Sequence, residues 1–136
     1  MKPTLKVGDR AEFVKLVTHD MTVEFEGRPL HEFCATYWLS HLAEYVSRMV
    51  LEPHLEDHED GVGTGLYIRH YSPAGVGQAI RLVATCTELK GNYLKCDVDA
   101  HVGDRRISEA VVHQVVIPKS ELEALERKLV LEKSSH

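Results

Sequence analysis

Apolar residues recur with helical spacing in one segment of the chain and with strand spacing in most of the remainder. From residue 35 to about residue 52 they fall on one stripe of a helix, which includes Trp38, Leu42 and Val46, and Pro53 ends the predicted helix. A helix with a single apolar stripe needs a sheet or a second helix to cover that stripe. The segments on either side of the helix should supply this cover.

Strand-like segments flank the predicted helix. Ahead of it, residues 11–17 form a first predicted strand, and residues 21–25 continue or follow it. Residues 26–32 contain Gly27 and Pro29 and are predicted as a loop, as is the acidic stretch at residues 56–60. Four further strands are predicted, separated by short turns that contain glycine, at residues 63–71, 78–89, 93–102 and 106–117.

The order of these elements indicates one fold class. Short connections favour antiparallel neighbours, and Ser120 with Glu123 forms a capping-box pattern that opens a last helix to about residue 132. We therefore expect residues 1–136 to form a single α+β domain with the hotdog fold, in which a curled antiparallel sheet wraps around a long central helix. A ferredoxin-like fold needs a second helix between the later strands, and the turns leave no room for one.

Charge and cysteine content exclude several classes of protein. The chain has 16 Lys and Arg against 21 Asp and Glu, a formal charge of -5, without a basic run that could follow a phosphate backbone, so we expect no nucleic-acid partner. It has no apolar run of about 18 residues, so we expect no membrane span. The three cysteines form no C-x-x-C pair, which favours a reduced, cytoplasmic protein.

His70 is the first residue with candidate chemistry. The strand period of two places it on the same face as Thr64, Leu66 and Ile68. A histidine at the end of such a face can donate or accept a proton in a partly desolvated cleft. A hydrogen-bonded core histidine is the alternative interpretation.

Glu44 is the one charge on the helix face opposite the apolar stripe, a face that also carries Thr36, Ser40, Ser47 and Leu51. This face is either simply solvated or, in a hotdog with a dimer partner, partly covered, which would raise the pKa of Glu44 and suit it to act as a base or nucleophile. Thr36 and Glu44 lie about 12 Å apart along a helix axis. Thr36 therefore either lies at the start of the helix or meets a Glu44 from elsewhere.

Three other sequence patterns give no evidence of a specific function. The glycine-rich residues 61–65 precede a strand and are followed by no lysine, so they form neither a P-loop nor a dinucleotide fingerprint. The absence of a G-x-S-x-G motif excludes an α/β-hydrolase mechanism. His54 and His58 have i, i+4 spacing among acidic residues, but Pro53 interrupts a helix there, and we predict no metal site.

The spacing Thr36-(seven residues)-Glu44, followed by Gly63-(six residues)-His70, resembles that of the fluoroacetyl-CoA thioesterase family of hotdog proteins. The similarity also includes residues 5–10 and the turn at residues 74–75. It weakens beyond residue 91 and covers about two thirds of the chain.

This resemblance implies a homodimeric acyl-CoA thioesterase that hydrolyses a small or medium acyl-CoA to the free acid and CoA and needs no metal or redox cofactor. Thr36, Glu44 and His70 would form the catalytic constellation, and Gly63 would lie against the substrate. Glu44 would attack the thioester or activate water, His70 would assist proton transfer to the thiolate, and Thr36 would orient the group.

Two positions depart from the family pattern. The fluorine-selective member carries a phenylalanine-rich lid where this chain has residues 27–33, so the resemblance does not support fluoroacetyl specificity. A substrate-contacting arginine on the last strand corresponds to Gln114, next to His113, so either substrate recognition differs there or the register shifts.

Two alternative functions remain open at this point. The hotdog fold also includes noncatalytic proteins that bind acyl-CoA or another small ligand, and it includes hydratases. Tight binding of acyl-CoA without release of thiol would indicate the first, and addition of water to an enoyl-CoA with the thioester intact would indicate the second.

Overall fold

The computed structural model describes residues 1–134. In that range the chain forms seven β-strands, two α-helices and two short 3-10 turns, the latter at His19–Met21 and Glu52–His54. The long elements are β1 (Arg10–Leu16), β2 (Thr22–Phe25), β3 (Arg28–Cys34), α1 (Thr36–Leu51), β4 (Glu59–His70), β5 (Ala79–Lys90), β6 (Tyr93–Val102), β7 (Arg105–Pro118) and α2 (Lys119–Ser134).

Five of the strands form one antiparallel sheet with the order β1-β5-β6-β7-β4. Helix α1 lies across the inner face of this sheet, and its closest packing is against β5 and β1. Most of the core consists of the buried side chains of α1 and of alternating residues of β5, β6 and β7. This is the hotdog arrangement, so the predicted fold class is confirmed.

Helix α1 buries a wider face than the predicted stripe. Leu42 and Val46 are buried as expected, but Ser47 and Leu51, which we placed on the opposite, polar face, are also fully buried. The prediction was wrong for these two residues because the curled sheet contacts more of the helix surface than a flat layer would. Glu44 and Tyr45 remain exposed on the uncovered side.

The predicted loop at residues 26–32 is wrong, because the chain forms a β-hairpin there. Strands β2 and β3 pair as a separate two-stranded sheet. The turn consists of Glu26 (φ 51°) and Gly27 (φ 78°), both with left-handed backbone, as a tight two-residue hairpin requires. The hairpin lies beside the β4–β5 connection, where the Cys34 amide donates to the Ala74 carbonyl (2.7 Å).

Strand β4 contains a bulge that the period of two did not predict. Gly63 lies opposite Gln114 and Gly65 lies opposite His113, so Thr64 is the extra residue. Residues opposite each other in a sheet share a face. Gly63, through Gln114, and His70, through Ser108, therefore lie on the same inner face. Without the bulge, Gly63 would lie on the outer face.

Two boundaries differ from the prediction. Strand β4 begins at Glu59 rather than near residue 63, so the acidic loop is shorter than expected. Helix α2 begins at Lys119, so Ser120 lies in its first turn and is not its N-cap. Over the described residues, no helix has the length and apolar character needed to cross a membrane.

Candidate active site

Thr36 and His70 line one surface cavity of about 300 Å³. Thr36 is the first residue of α1, where the extended backbone of Ala35 (φ -69°, ψ 150°) ends the preceding strand. His70 is the last residue of β4. The β2–β3 hairpin, helix α1 and the β4–β5 connection supply the apolar part of the wall, which includes Val23, Phe33, Cys34, Leu39, Pro73 and Ala74.

Glu44, Gly63 and Gln114 line a second cavity of about 230 Å³. A Cβ atom on Gly63 would lie 3.8 Å from Glu44 Oε2, so no side chain separates this carboxylate from the β4 backbone. Gln114 is 5% exposed, and its side-chain amide donates to the backbone carbonyl of Ser47 (3.3 Å). The inner face of β7 and the helix therefore fix Gln114 beside the glycine.

Arg48 borders the cavity of Glu44 one helical turn further along α1. Its guanidinium donates to Asp60 Oδ1 (2.7 Å) and to the Gly61 carbonyl (3.2 Å). The hydrogen bond from Arg48 holds the pKa of the Asp60 carboxyl below its ordinary value. This pair fastens the start of β4 to α1, and no spacing pattern in the sequence pointed to it, because it joins two separate elements.

Within one chain the predicted site residues fall into two groups. Thr36 and His70 share one cavity, whereas Glu44, Gly63 and Gln114 share the other. Thr36 lies at the start of the helix, which is one of the two placements that the sequence allowed. Glu44 is exposed in the single chain, so the burial that we expected for it requires a second surface.

Cys34 also borders the cavity of Thr36 and His70, and the sequence analysis did not assign it there. It is 6% exposed, and burial raises the pKa of its thiol to about 11. At neutral pH the thiol is therefore protonated, and a protonated thiol is a poor nucleophile. Cys34 contributes to the cavity wall as a small apolar side chain.

His54, one of the two histidines considered for a metal site, makes other contacts. The His54 ring bonds the Thr4 hydroxyl through Nδ1 (2.6 Å), and its Nε2 lies 3.8 Å from Asp9 Oδ2. In the part of the chain that the structure describes, no three His, Cys, Asp or Glu side chains converge as a metal site would need.

The sequence profile of the fluoroacetyl-CoA-specific thioesterase family matches residues 17–120. This match extends well past residue 91, where we saw the resemblance weaken, and it includes both cavities. No curated protein sequence matches the chain.

Solved structures agree with the family match. A hypothetical protein of Thermus thermophilus, described as a thioesterase superfamily member, is 34% identical, with a TM-score of 0.95 and coverage of 100% of both chains. A phenylalanine-to-alanine variant of the fluoroacetyl-CoA-specific thioesterase FlK is 25% identical, with a TM-score of 0.85 over 93% of this chain and 98% of its own. The structure of the same kind of variant in complex with fluoroacetate and CoA aligns at 24% identity, with a TM-score of 0.80 over 86% of this chain and 98% of its own. The chain therefore belongs to the fluoroacetyl-CoA-specific thioesterase family and is a thioester hydrolase.

Proposed function

We propose that the chain hydrolyses a small or medium acyl-CoA at a site that two copies of the chain complete together. The observation that carries this proposal is the placement of the two cavities along one strand. Gly63, with Glu44, lies in the first half of β4, and His70, with Thr36, lies at its end. Each copy then supplies one half of each site.

The free edge of β4 supports pairing with a second copy. β4 is 12 residues long, and among the described strands it pairs with β7 alone. Leu66 is 36% and Tyr67 is 58% exposed along it. A long unprotected edge is a ready template for another strand, and a two-fold axis is the commonest symmetry of protein dimers.

An antiparallel β4–β4 pair fits the positions of the half-sites. If the two-fold axis passes beside residue 67, each residue 67 lies opposite its own copy, and the bulge at Thr64 brings Gly63 of one copy opposite the partner subunit's His70. Glu44 then faces the partner's Thr36 and the partner's His70 across the interface. The partner also covers the side of α1 on which Glu44 is exposed.

The chemistry of these groups suits thioester hydrolysis. Glu44 either takes a proton from water as it adds to the carbonyl carbon or attacks that carbon itself, forming an anhydride that water then cleaves. In both routes the C–S bond breaks, His70 delivers a proton to the departing thiolate, and the products are the carboxylic acid and CoA. Thr36 donates a hydrogen bond that orients the reacting group.

The cavity of Thr36 and His70 is proposed to hold the acyl group. Its apolar wall and its volume of about 300 Å³ favour a small or medium uncharged acyl group. The structure of FlK with fluoroacetate and CoA supports a CoA thioester as the substrate class.

A complementation experiment tests both the residues and the composite site. Glu44→Gln and His70→Ala should each abolish thiol release from acyl-CoA while retaining the fold. A heterodimer of the two variants, isolated with two different affinity tags, carries one intact site of two and should recover about half of the unaltered rate.

The possible outcomes separate the parts of this proposal. An inactive heterodimer would place the site within one chain. Near-normal turnover by Glu44→Gln would refute its role. If the unaltered protein releases no thiol from any acyl-CoA in a panel from short to long, the acyl-CoA assignment itself fails.

A further inference from the structure

Three arginines surround the mouth of the cavity that holds Thr36 and His70. Here the mouth means the part of the cavity wall that is lined by Tyr71, Ser72 and Pro73, which follow β4. Arg69 and Arg106 each lie over the Tyr71 ring, 5.3 Å and 4.4 Å from its centroid. The third arginine, Arg105, begins β7.

Arg105 holds the mouth through neutral acceptors. Its guanidinium donates to Ser72 Oγ (3.0 Å), to the Pro73 carbonyl and to Gln78 Oε1 (3.0 Å). These contacts fix the guanidinium in place, but none of them balances its charge.

Two nearby carboxylates, of Asp99 and Glu109, form ion pairs with Arg106. Arg106 pairs with Asp99 Oδ1 (3.1 Å) and Glu109 Oε2 (2.7 Å). Glu109 lies opposite Arg69 in the sheet and also accepts a hydrogen bond from the Tyr71 hydroxyl. Over the described residues, no carboxylate forms an ion pair with Arg69 or Arg105. Arg69 and Arg105 therefore add positive charge at the mouth that no ion pair balances.

This local charge is opposite to the charge of the whole chain. The chain carries a formal charge of -5, which repels an anionic substrate. Both unpaired arginines are exposed, so their remaining donors are available to a ligand. Guanidinium groups bind phosphate through parallel charge-assisted hydrogen bonds.

We propose that Arg69 and Arg105 bind the phosphate groups at the nucleotide end of CoA, outside the cavity that receives the acyl group. This inference rests on the proposed function. Arg81 has no such role, because it pairs with Glu12 Oε1 (2.8 Å) at the β1 side of the sheet. Arg106 supports the site by holding Glu109 and the Tyr71 ring.

Arg69→Gln tests the proposal, because over the described residues the Arg69 side chain contacts the Tyr71 ring but forms no hydrogen bond or ion pair that holds the fold together. The kinetics of this variant are compared for one acyl group carried by CoA, by 4′-phosphopantetheine and by N-acetylcysteamine, which has no phosphate. Arg81→Gln removes the same charge elsewhere and is the matched control, and Arg69→Lys retains the charge.

We expect Arg69→Gln to raise KM for acyl-CoA by about tenfold with kcat unchanged, and to leave both constants unchanged for the N-acetylcysteamine thioester. Arg69→Lys should recover part of the affinity, and Arg81→Gln should match the unaltered protein.

The other outcomes overturn the proposal in distinguishable ways. An unchanged KM for acyl-CoA, or an equal loss with Arg81→Gln, excludes a phosphate site at Arg69. If KM rises equally for the 4′-phosphopantetheine thioester, Arg69 contacts the phosphate of the pantetheine arm, which a carrier protein also bears. The nucleotide end of CoA is then not the contact. If the unaltered protein hydrolyses none of the three thioesters, the proposed function fails first.

Discussion

The carboxylate of Glu44 lies directly over the backbone of Gly63, at 3.8 Å from the position that a Cβ atom would occupy there. The distance is an ordinary van der Waals contact, so an alanine fits without moving its neighbours. A methyl group would nevertheless occupy the space between the carboxylate and the strand, where the proposed mechanism brings the reacting carbonyl. We therefore predict that the small size of Gly63 matters for access of the substrate rather than for folding.

Gly63→Ala should leave the stability unchanged and lower kcat/KM by at least about tenfold, because small displacements of a reacting group reduce the rate strongly. Thermal unfolding and thiol release from acyl-CoA check the two parts separately. A variant with full activity would show that substrate does not approach over Gly63.

Gly61 lies two residues before Gly63 in β4, and a side chain at this position would clash with the helix. A Cβ atom at this position would lie 2.6 Å from Leu51 Cδ2, which is too close for any real contact. Gly61→Ala should therefore lower the free energy of unfolding by about 1–3 kcal/mol, measured by urea denaturation. Leu51→Ala in the same chain removes the opposed methyl group, so the costs of the two substitutions should not add. Strict additivity would contradict the proposed clash.

We expect the Arg48–Asp60 ion pair to make a small, pH-dependent contribution to the free energy of unfolding. Because Arg48 lowers the pKa of Asp60 in the folded state, the ionised carboxylate stabilises the fold above the unfolded pKa of about 3.9, and this stability is lost as the pH falls through the lower folded pKa. Both side chains are partly exposed, at 40% and 32%, so the contribution should stay below about 1 kcal/mol.

Asp60→Asn removes the titrating group and keeps an acceptor oxygen for Arg48. Its denaturation midpoint should be slightly lower than that of the unaltered protein at pH 7, and the difference should shrink as the pH falls below the unfolded pKa of the carboxyl. Asp57→Asn, in the exposed turn before β4, is the control and should show no such pattern. A difference that persists at low pH would assign the loss to packing instead.

Much of the fold could be predicted because it depends on local patterns. The helix of α1 and strands β5, β6 and β7 have regular periodicity and ends marked by glycine or proline, so their bounds were close. The β2–β3 hairpin was missed because its turn depends on two left-handed residues, and Glu26 is a residue type that rarely adopts this conformation. The bulge at Thr64 was missed because it arises from pairing with β7, which no local pattern encodes.

The sequence selected residues that border the two cavities, but it did not show how those residues are arranged. Spacing and family resemblance selected Thr36, Glu44, Gly63 and His70, and the fold places all four at the two cavities. Their division into two groups follows from the length of α1 and from the edge position of β4, which are properties of the assembled sheet. The contact between Arg48 and Asp60 also joins distant segments, so sequence spacing alone could not reveal it.

The buried thiols should be unreactive in the folded protein. Cys34, Cys86 and Cys96 are buried, and burial raises the pKa of Cys96 to about 12. We expect a disulfide reagent such as DTNB to label less than one thiol per chain over the time of an activity assay at pH 8, and all three in guanidinium chloride. Rapid labelling of the native protein would show that the segments covering these residues open readily.

The same thiols should make the fold less stable in alkali. Their folded pKa values, about 11 for Cys34 and about 12 for Cys96, lie above the unfolded value of about 8.5, so their contribution is fully present below pH 8.5 and is lost as the pH rises through the folded values. The free energy of unfolding should therefore fall between pH 9 and 11. Because Lys and Tyr residues also titrate there, the comparison is with a variant in which Cys34, Cys86 and Cys96 are alanine, whose stability should decline less steeply. Equal slopes would mean that the thiols ionise as easily in the folded protein as in the unfolded chain.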